Sequence, residues 1–173
     1  LSYFKYQRYL KRYLRKIHSI DESVGRLLNW LDETEQADNT IVIYTSDQGF
    51  FLGEHGWFDK RFMYEESFQM PFLMRYPESI PAATVCDDML CNVDFAPTFL
   101  DYAELPIPNY MQGLSARKVL EGNPPSNWPQ IAYHRYWMHR DPDHNAYSHY
   151  GIRDQHYNLI YWYNDGFDLP GTN

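Results

Sequence analysis

Two cysteines among 173 residues, Cys86 and Cys91, are too few for a disulfide scaffold, and their spacing is neither the CxxC of a redox centre nor that of a zinc site. They are expected as semi-buried thiols, with a local bridge open only in an exported protein. No apolar run approaches the roughly 20 residues that cross a bilayer, and no charged-then-apolar leader stands at the start. Positive charge is also scarce. Fifteen Lys and Arg against 23 Asp and Glu give a net charge of -8, which argues against nucleic acid held by bulk charge. Any anion site must therefore be local. What the chain has in quantity is apolar and aromatic surface, 44% hydrophobic and 18% aromatic, which suits a globular chain and argues against disorder. The length fits one domain with a core, or one domain's share of a larger enzyme. The chain opens on Leu1 in or beside a helix and stops at Gly171-Thr172-Asn173 after a strand-like segment, so it reads as an excerpt of a longer protein.

The clearest periodicity lies between about Tyr6 and Glu33. Leu10, Leu14, Ile17, Ile20, Val24, Leu27, Leu28 and Leu31 recur at steps of three and four with Lys and Arg between them, which predicts a long amphipathic helix. Gly25 within it is expected to allow close packing on a sheet, and His18 beside the stripe to be structural or solvated. A turn at Gln36–Asn39 leads into an apolar strand at 40–46, expected to be buried on both faces. Arg61 to Ser67 suits a short helix, and Pro71 to Pro77 a second buried strand. Asp94 reads as an N-cap with Pro97 in the first turn, and Gly122 as a helix stop. Beyond Asn123-Pro124-Pro125-Ser126-Asn127 come three aromatic and β-branched segments, Gln130 to Trp137, Tyr147 to Asp154 and His156 to Tyr163, which suggest a small antiparallel sheet. The order helix, strand, polar loop indicates an α/β fold. The division expected is 1–125 for the α/β core and 126–173 for the start of a small antiparallel subdomain.

The chemistry concentrates between Thr45 and Lys60. Asp47 and Gln48 follow the strand's carboxyl end, where open α/β sheets place ligands. An acid and an amide side by side, then Gly49, Gly53, His55, Gly56 and Lys60, suit a divalent cation with an anion held against it. Ser-Asp-x-Gly alone is equally good turn chemistry. The combination at fixed offsets, with Tyr64-Glu65-Glu66 and Pro71-Phe72-Leu73 after it, carries the reading. A second polar cluster, His134, His139, His144 and His149, is spaced at fives, with Arg135, Arg140 and Arg153 among it. That interval puts successive imidazoles on one face of neither a helix nor a strand, so zinc is a poor reading.

Ser46-Asp47-Gln48-Gly49, Leu52-Gly53-Glu54-His55-Gly56 and Lys60 together resemble the formylglycine-dependent sulfatases of the alkaline-phosphatase-like superfamily. The helix around Ile20 to Leu28, Asp94-Phe95-Ala96-Pro97-Thr98, Gln112-Gly113-Leu114-Ser115 and Tyr150 to Ile160 look like the same family, so the resemblance covers essentially the whole chain. Within the family the chain looks most like bacterial glycan sulfatases, including N-acetylglucosamine-6-sulfatases and mucin-desulfating enzymes. The resemblance implies the C-terminal part of the large mixed or parallel sheet domain and the hydrolysis of sulfate esters on carbohydrates. It makes Asp47 a ligand of Ca²⁺, with Mg²⁺ the other hard cation, and puts Gln48 at the next ligand position, where Asn or His is more usual. Lys60 matches the lysine that holds a sulfate oxygen. His55 is expected to organise the loop, with a contact to the site as the other reading. His149 and His134 are the expected sugar contacts, and Trp137, Tyr136 and Tyr147 are aromatics that either stack on a sugar or pack in the sheet.

The family's Cys- or Ser-x-Pro-x-Arg nucleophile motif is absent from these residues, as are the other aspartate ligands and the upstream Lys and His. The resemblance therefore implies that an N-terminal part of the same enzyme is the partner, that the fragment is inactive alone, and that the protein is periplasmic or exported. A phosphate- or phosphonate-ester hydrolase of the same superfamily and a non-catalytic glycan-binding homologue are the alternatives.

Overall fold

The computed structural model of the chain describes residues 2–163. Contacts divide the chain into two compact units, Leu1–Tyr44 with Phe72–Ala82, and Thr45–Pro71 with Ala83–Asn173. The first unit begins with α1 (Ser2–Glu33), which starts earlier than its apolar period indicates. A 3-10 turn at Ala37–Asn39 leads to β1 (Val42–Thr45), whose only partner strand among the described residues is Phe72–Arg75.

Three expectations for this unit are corrected. The β1 strand is half-buried throughout and its partner leaves Leu73 66% exposed, because a two-stranded pair cannot be covered on both faces by what surrounds it here. Gly25 does not pack closely on the described residues, since a Cβ placed there meets none of them within 4 Å. The apolar stripe of α1 remains open, with Leu14 and Leu27 62% and 63% exposed. His18 lies on the surface, 3.5 Å from Glu22 one turn on. Arg75 reaches back to Asp32 at 2.8 Å and ties the strand to the end of the helix.

In the second unit the segment after β1 makes a small hairpin of β2 (Phe51–Leu52) and β3 (Phe58–Asp59), with Phe51 opposite Asp59. The helix expected over Arg61 to Ser67 forms only as α2 (Glu65–Phe68), directly before the Phe72–Arg75 strand, β4. A 3-10 turn at Asn92–Asp94 runs into α3 (Phe95–Tyr102), and α4 (Arg117–Leu120) stops before Gly122, whose φ of 79° suits glycine. Asp94 does not cap α3 with its side chain. It lies between two helical turns and instead accepts from the backbone N–H of Cys91 at 3.0 Å and of Leu114 at 2.8 Å, joining two loops. Cys86 and Cys91 are both free thiols, Cys86 exposed and Cys91 half-buried; burial raises both pKa values, and acidic neighbours add to it.

The three aromatic segments form an antiparallel sheet of β5 (Ala132–Tyr136), β6 (His149–Arg153) and β7 (Asn158–Trp162), as their alternation predicts. Its inner face carries His134, Tyr136, His149, Gly151, Ile160 and Trp162, and it packs on the segment that follows Lys60. Met63 lies under Gly151, where a Cβ would come within 2.8 Å of its side chain, and Asn158 donates to the Met63 carbonyl at 3.3 Å. Phe68 packs on His134, and Arg153 pairs with Glu65. A separate small core of Ala116, Val119 and Trp128 is fastened by the Trp128 indole N–H donating to the Met89 carbonyl at 2.8 Å. Among the described residues no helix is long and apolar enough to cross a membrane.

Candidate active site

Glycine lets the polar segment turn tightly. Gly49 donates to the Ser67 carbonyl at 2.8 Å and lies so close to α2 that a Cβ would stand 2.2 Å from the Glu66 carbonyl oxygen. Gly53 and Gly56 adopt φ of 120° and 78°, and His55 between them is itself left-handed at 56°. The His55 ring lies on Tyr64 at 4.5 Å with Nε2 3.2 Å from the Glu66 carboxylate, and Phe51 and Trp57 surround it. This is a contact set that organises the loop.

Asp47 is exposed and accepts from the Ser46 hydroxyl at 3.2 Å, and Gln48 beside it is half-buried. A carboxylate and an amide oxygen suit a hard divalent cation, but calcium takes about 6–8 oxygen ligands. Among the described residues no group of three or more His, Cys, Asp or Glu stands ready to hold a metal. The two residues fit one side of such a site and no more.

Antiparallel pairing of Phe51 with Asp59 brings Lys60 back toward the sequence that follows Gln48. Lys60 is half-buried, and its ammonium makes no hydrogen bond or ion pair with a described residue. Its neighbours are fully engaged. Asp59, at φ 73°, takes Arg61 at 3.1 Å and the His144 Nε2 at 2.8 Å on one carboxylate oxygen. The other nitrogen of His144 is 2.7 Å from Asp141. Asp141, buried in the β5–β6 connection, also accepts from the His144 N–H at 2.9 Å, the Tyr136 hydroxyl at 3.0 Å and the Ala146 N–H at 3.4 Å. Burial raises the pKa of this carboxyl, but the hydrogen bonds from His144, Tyr136 and Ala146 together outweigh it and hold it well below the usual carboxylate range.

The regular spacing of the histidines conceals four different environments. His149 and His134 sit diagonally on β6 and β5, their ring centres 5.6 Å apart. His149 has no exposed surface; its Nδ1 lies 2.8 Å from the Tyr147 carbonyl, and Phe62, Tyr136 and Trp162 enclose the ring. The Nε2 atoms of both are buried without a hydrogen-bond partner among the described residues. Burial lowers the pKa of His149 and lowers that of His134 to about 4, with His149 as the second cause. His139 contacts Ser148 at 3.2 Å, while His144 joins Asp59 to Asp141. Tyr136 is engaged by packing on His149, whereas Trp137 is 71% exposed under the Arg135 guanidinium at 3.6 Å.

The cluster of Asp59, Arg61, Asp141 and His144 escaped sequence reasoning. Its one local signal was Asp141 three residues before His144, a spacing at which an aspartate folds back on the backbone. The link to Asp59 is long-range and leaves no trace in spacing.

A long helix and a strand pair followed by a C-terminal antiparallel sheet have the features of a piece of the alkaline-phosphatase-like hydrolase fold. The chain belongs to the sulfatase family and represents its C-terminal region: residues 53–169 match the family described as N-sulphoglucosamine sulphohydrolase, C-terminal. It is 51% identical over 164 residues to an N-acetylglucosamine-6-O-sulfatase of Bacteroides thetaiotaomicron, covering 94% of this chain and 29% of that protein. It superposes with a TM-score of 0.87 and 50% identity on an enzyme solved with its substrate D-glucosamine-2-N,6-O-disulfate, covering 94% of this chain and 33% of that one. A phosphonate monoester hydrolase of Silicibacter pomeroyi superposes at 0.72 with 28% identity, covering 83% and 30%. The chain thus spans about a third or less of the length of these relatives.

Proposed function

We propose that the chain is the C-terminal part of an exported or periplasmic sulfatase that hydrolyses a sulfate ester on a glucosamine-type sugar, and that it works only with the N-terminal part of the same enzyme. The 51% identity over nearly the whole chain to a sugar 6-O-sulfatase carries this reading. In it, residues 1–125 complete the catalytic α/β core and 126–173 begin the small antiparallel subdomain; residues 164–173 of that stretch lie outside the described structure. Lys60, half-buried and unpaired among the described residues, holds a sulfate oxygen and offsets the charge that gathers there as the ester bond breaks. Asp47 and Gln48 would hold Ca²⁺, with Mg²⁺ as the other candidate, and the cation would supply electrostatic stabilisation of the same charge. His55 supports the loop from beneath. His134 and His149 are the proposed sugar contacts, favoured by their unpaired Nε2 atoms and opposed by the burial of His149.

The test is sulfate release from 6-O-sulfated glucosamine by the full-length protein, with elemental analysis of the purified enzyme. Release that falls on chelation and returns with calcium is expected. Bound calcium without release from any sulfated sugar would instead favour a glycan-binding homologue. Turnover of a phosphonate monoester in preference to a sulfate would favour the second reading, for which the likeness to a phosphonate monoester hydrolase is the specific observation. For the sugar contacts, His149→Ala with the parent's affinity and turnover would remove that assignment.

A further inference from the structure

Lys60 stands between two residues whose side chains meet at one imidazole. Asp59 lies 2.8 Å from the Nε2 of His144, and Arg61 reaches both Asp59 at 3.1 Å and the His144 ring at 3.4 Å. The ring nitrogen that Arg61 reaches, Nδ1, also lies 2.7 Å from Asp141. The two ring nitrogens thus face one carboxylate each. Asp141 is fixed in turn by Tyr136 of β5 and by two backbone N–H groups of its own loop. From this geometry we infer that His144 is a positioning residue for Lys60: it fastens the turn after β3 to the β5–β6 connection and so fixes where the lysine ammonium is presented.

The inference rests on the reading of Lys60 as the cation that holds sulfate. Two observations make the fastening necessary. The β2–β3 hairpin has only two residues per strand, too little ladder to hold a turn by itself. Asp59 also adopts φ 73°, a conformation a non-glycine residue keeps only where its surroundings enforce it. His144 and Arg61 are the groups that grip its side chain. Lys60 has no such partner among the described residues and takes its placement from the backbone on either side. A charged group displaced by about 1 Å from its reacting partner can lose on the order of 100-fold in rate, so the tether matters for chemistry.

The test compares Lys60→Ala, His144→Ala and His144→Gln in the full-length enzyme, reading turnover of 6-O-sulfated glucosamine, competitive inhibition by inorganic sulfate, and melting temperature. His144→Ala is expected to lower kcat/KM about 10- to 100-fold and to weaken sulfate inhibition in step, with an unchanged KM for a sulfated sugar held mainly through its ring. His144→Gln, whose amide still donates to Asp59, is expected to recover part of both losses. Parental kcat/KM and sulfate inhibition in His144→Ala, alongside an inactive Lys60→Ala, would overturn the inference and leave the Lys60 reading standing. Parental activity in Lys60→Ala would overturn the Lys60 reading itself. Should His144→Ala fail to fold, His144→Leu, which keeps volume without donors, carries the same outcomes.

Discussion

Two irregular segments of the second unit make the same kind of backbone by different means. Between residues 45 and 60, sharp turns are built with Gly49, Gly53 and Gly56, and non-glycine residues turn left-handed only at His55 and Asp59. Between residues 137 and 148 there is no glycine, yet Arg140 and Asn145 both adopt φ of 49°. There the organiser is Asp141, which takes four hydrogen bonds from within or beside the loop. Glycine shapes a loop by permitting a conformation, and a buried acid shapes it by rewarding one. The first device does not draw on side chains such as Gln48 and Lys60 to hold the backbone. The second consumes its polar groups in holding itself.

That difference sets the order of effects expected on substitution. Lys60→Ala should cost about 100-fold or more in kcat/KM, the scale for removing one preorganised group from a developing oxyanion, while the melting temperature stays unchanged, because its ammonium holds nothing in place. A fall in stability as large as the fall in activity would show that the lysine belongs to the scaffold. Gly49→Ala should act in the opposite sense. Its Cβ would meet a carbonyl oxygen at 2.2 Å, and backbone cannot step aside as a side chain can, so a loss at the upper end of about 1–3 kcal/mol is expected in denaturant titration. An unchanged midpoint would mean that the loop is looser against α2 than its hydrogen bond to Ser67 indicates.

The same contrast explains what could be read from the sequence. Elements with period or alternation, α1 and the three strands of the terminal sheet, were predicted within a few residues, and the glycines of the 45–60 loop marked where its backbone turns. Burial was not predictable in the first unit, because an apolar run such as residues 41–44 states that a strand wants cover and not whether cover is there. The tether through His144 was invisible because it joins residues 85 positions apart across two loops, and only the fold brings Asp59 and His144 to 2.8 Å. The fivefold interval of the histidines suggested a pattern where none exists. Register, not spacing, brings His134 beside His149 and sends His139 and His144 elsewhere.

A pH titration of stability probes the two histidines on the inner face of the terminal sheet. His134 titrates from 6.5 in the unfolded chain to about 4 in the folded one, through burial and then the neighbouring His149. Between those values the unfolded state binds the extra proton, so stability is complete above pH 6.5 and is lost as pH falls toward 4, with a slope of up to about 1.4 kcal/mol per pH unit for one proton. His149, lowered in the same direction by its own burial, adds to the slope. Replacing His134 with Phe, which suits the neighbouring Phe68 ring, should flatten this part of the stability profile. An identical slope in the variant would assign the acid sensitivity to other groups.

The smallest effect belongs to the exposed edge of the second segment. Trp137 and Trp57 offer a matched pair, one from each region. Trp57 is stacked on Phe62 at 4.0 Å and meets Phe51 and Tyr64 edge-on, so its removal to alanine should cost on the order of the 3 kcal/mol seen for large aromatic deletions. Trp137, largely in solvent, has the Arg135 guanidinium over its ring, a contact worth about 0.5–1 kcal/mol at an exposed site, so Trp137→Ala should barely move the melting temperature. Because so little stability rides on that ring, its effect on substrate can be read cleanly. A raised KM for a sulfated sugar in Trp137→Ala, with kcat and stability held, would mark the ring as a stacking surface for the saccharide; an unchanged KM would confine it to partnering Arg135.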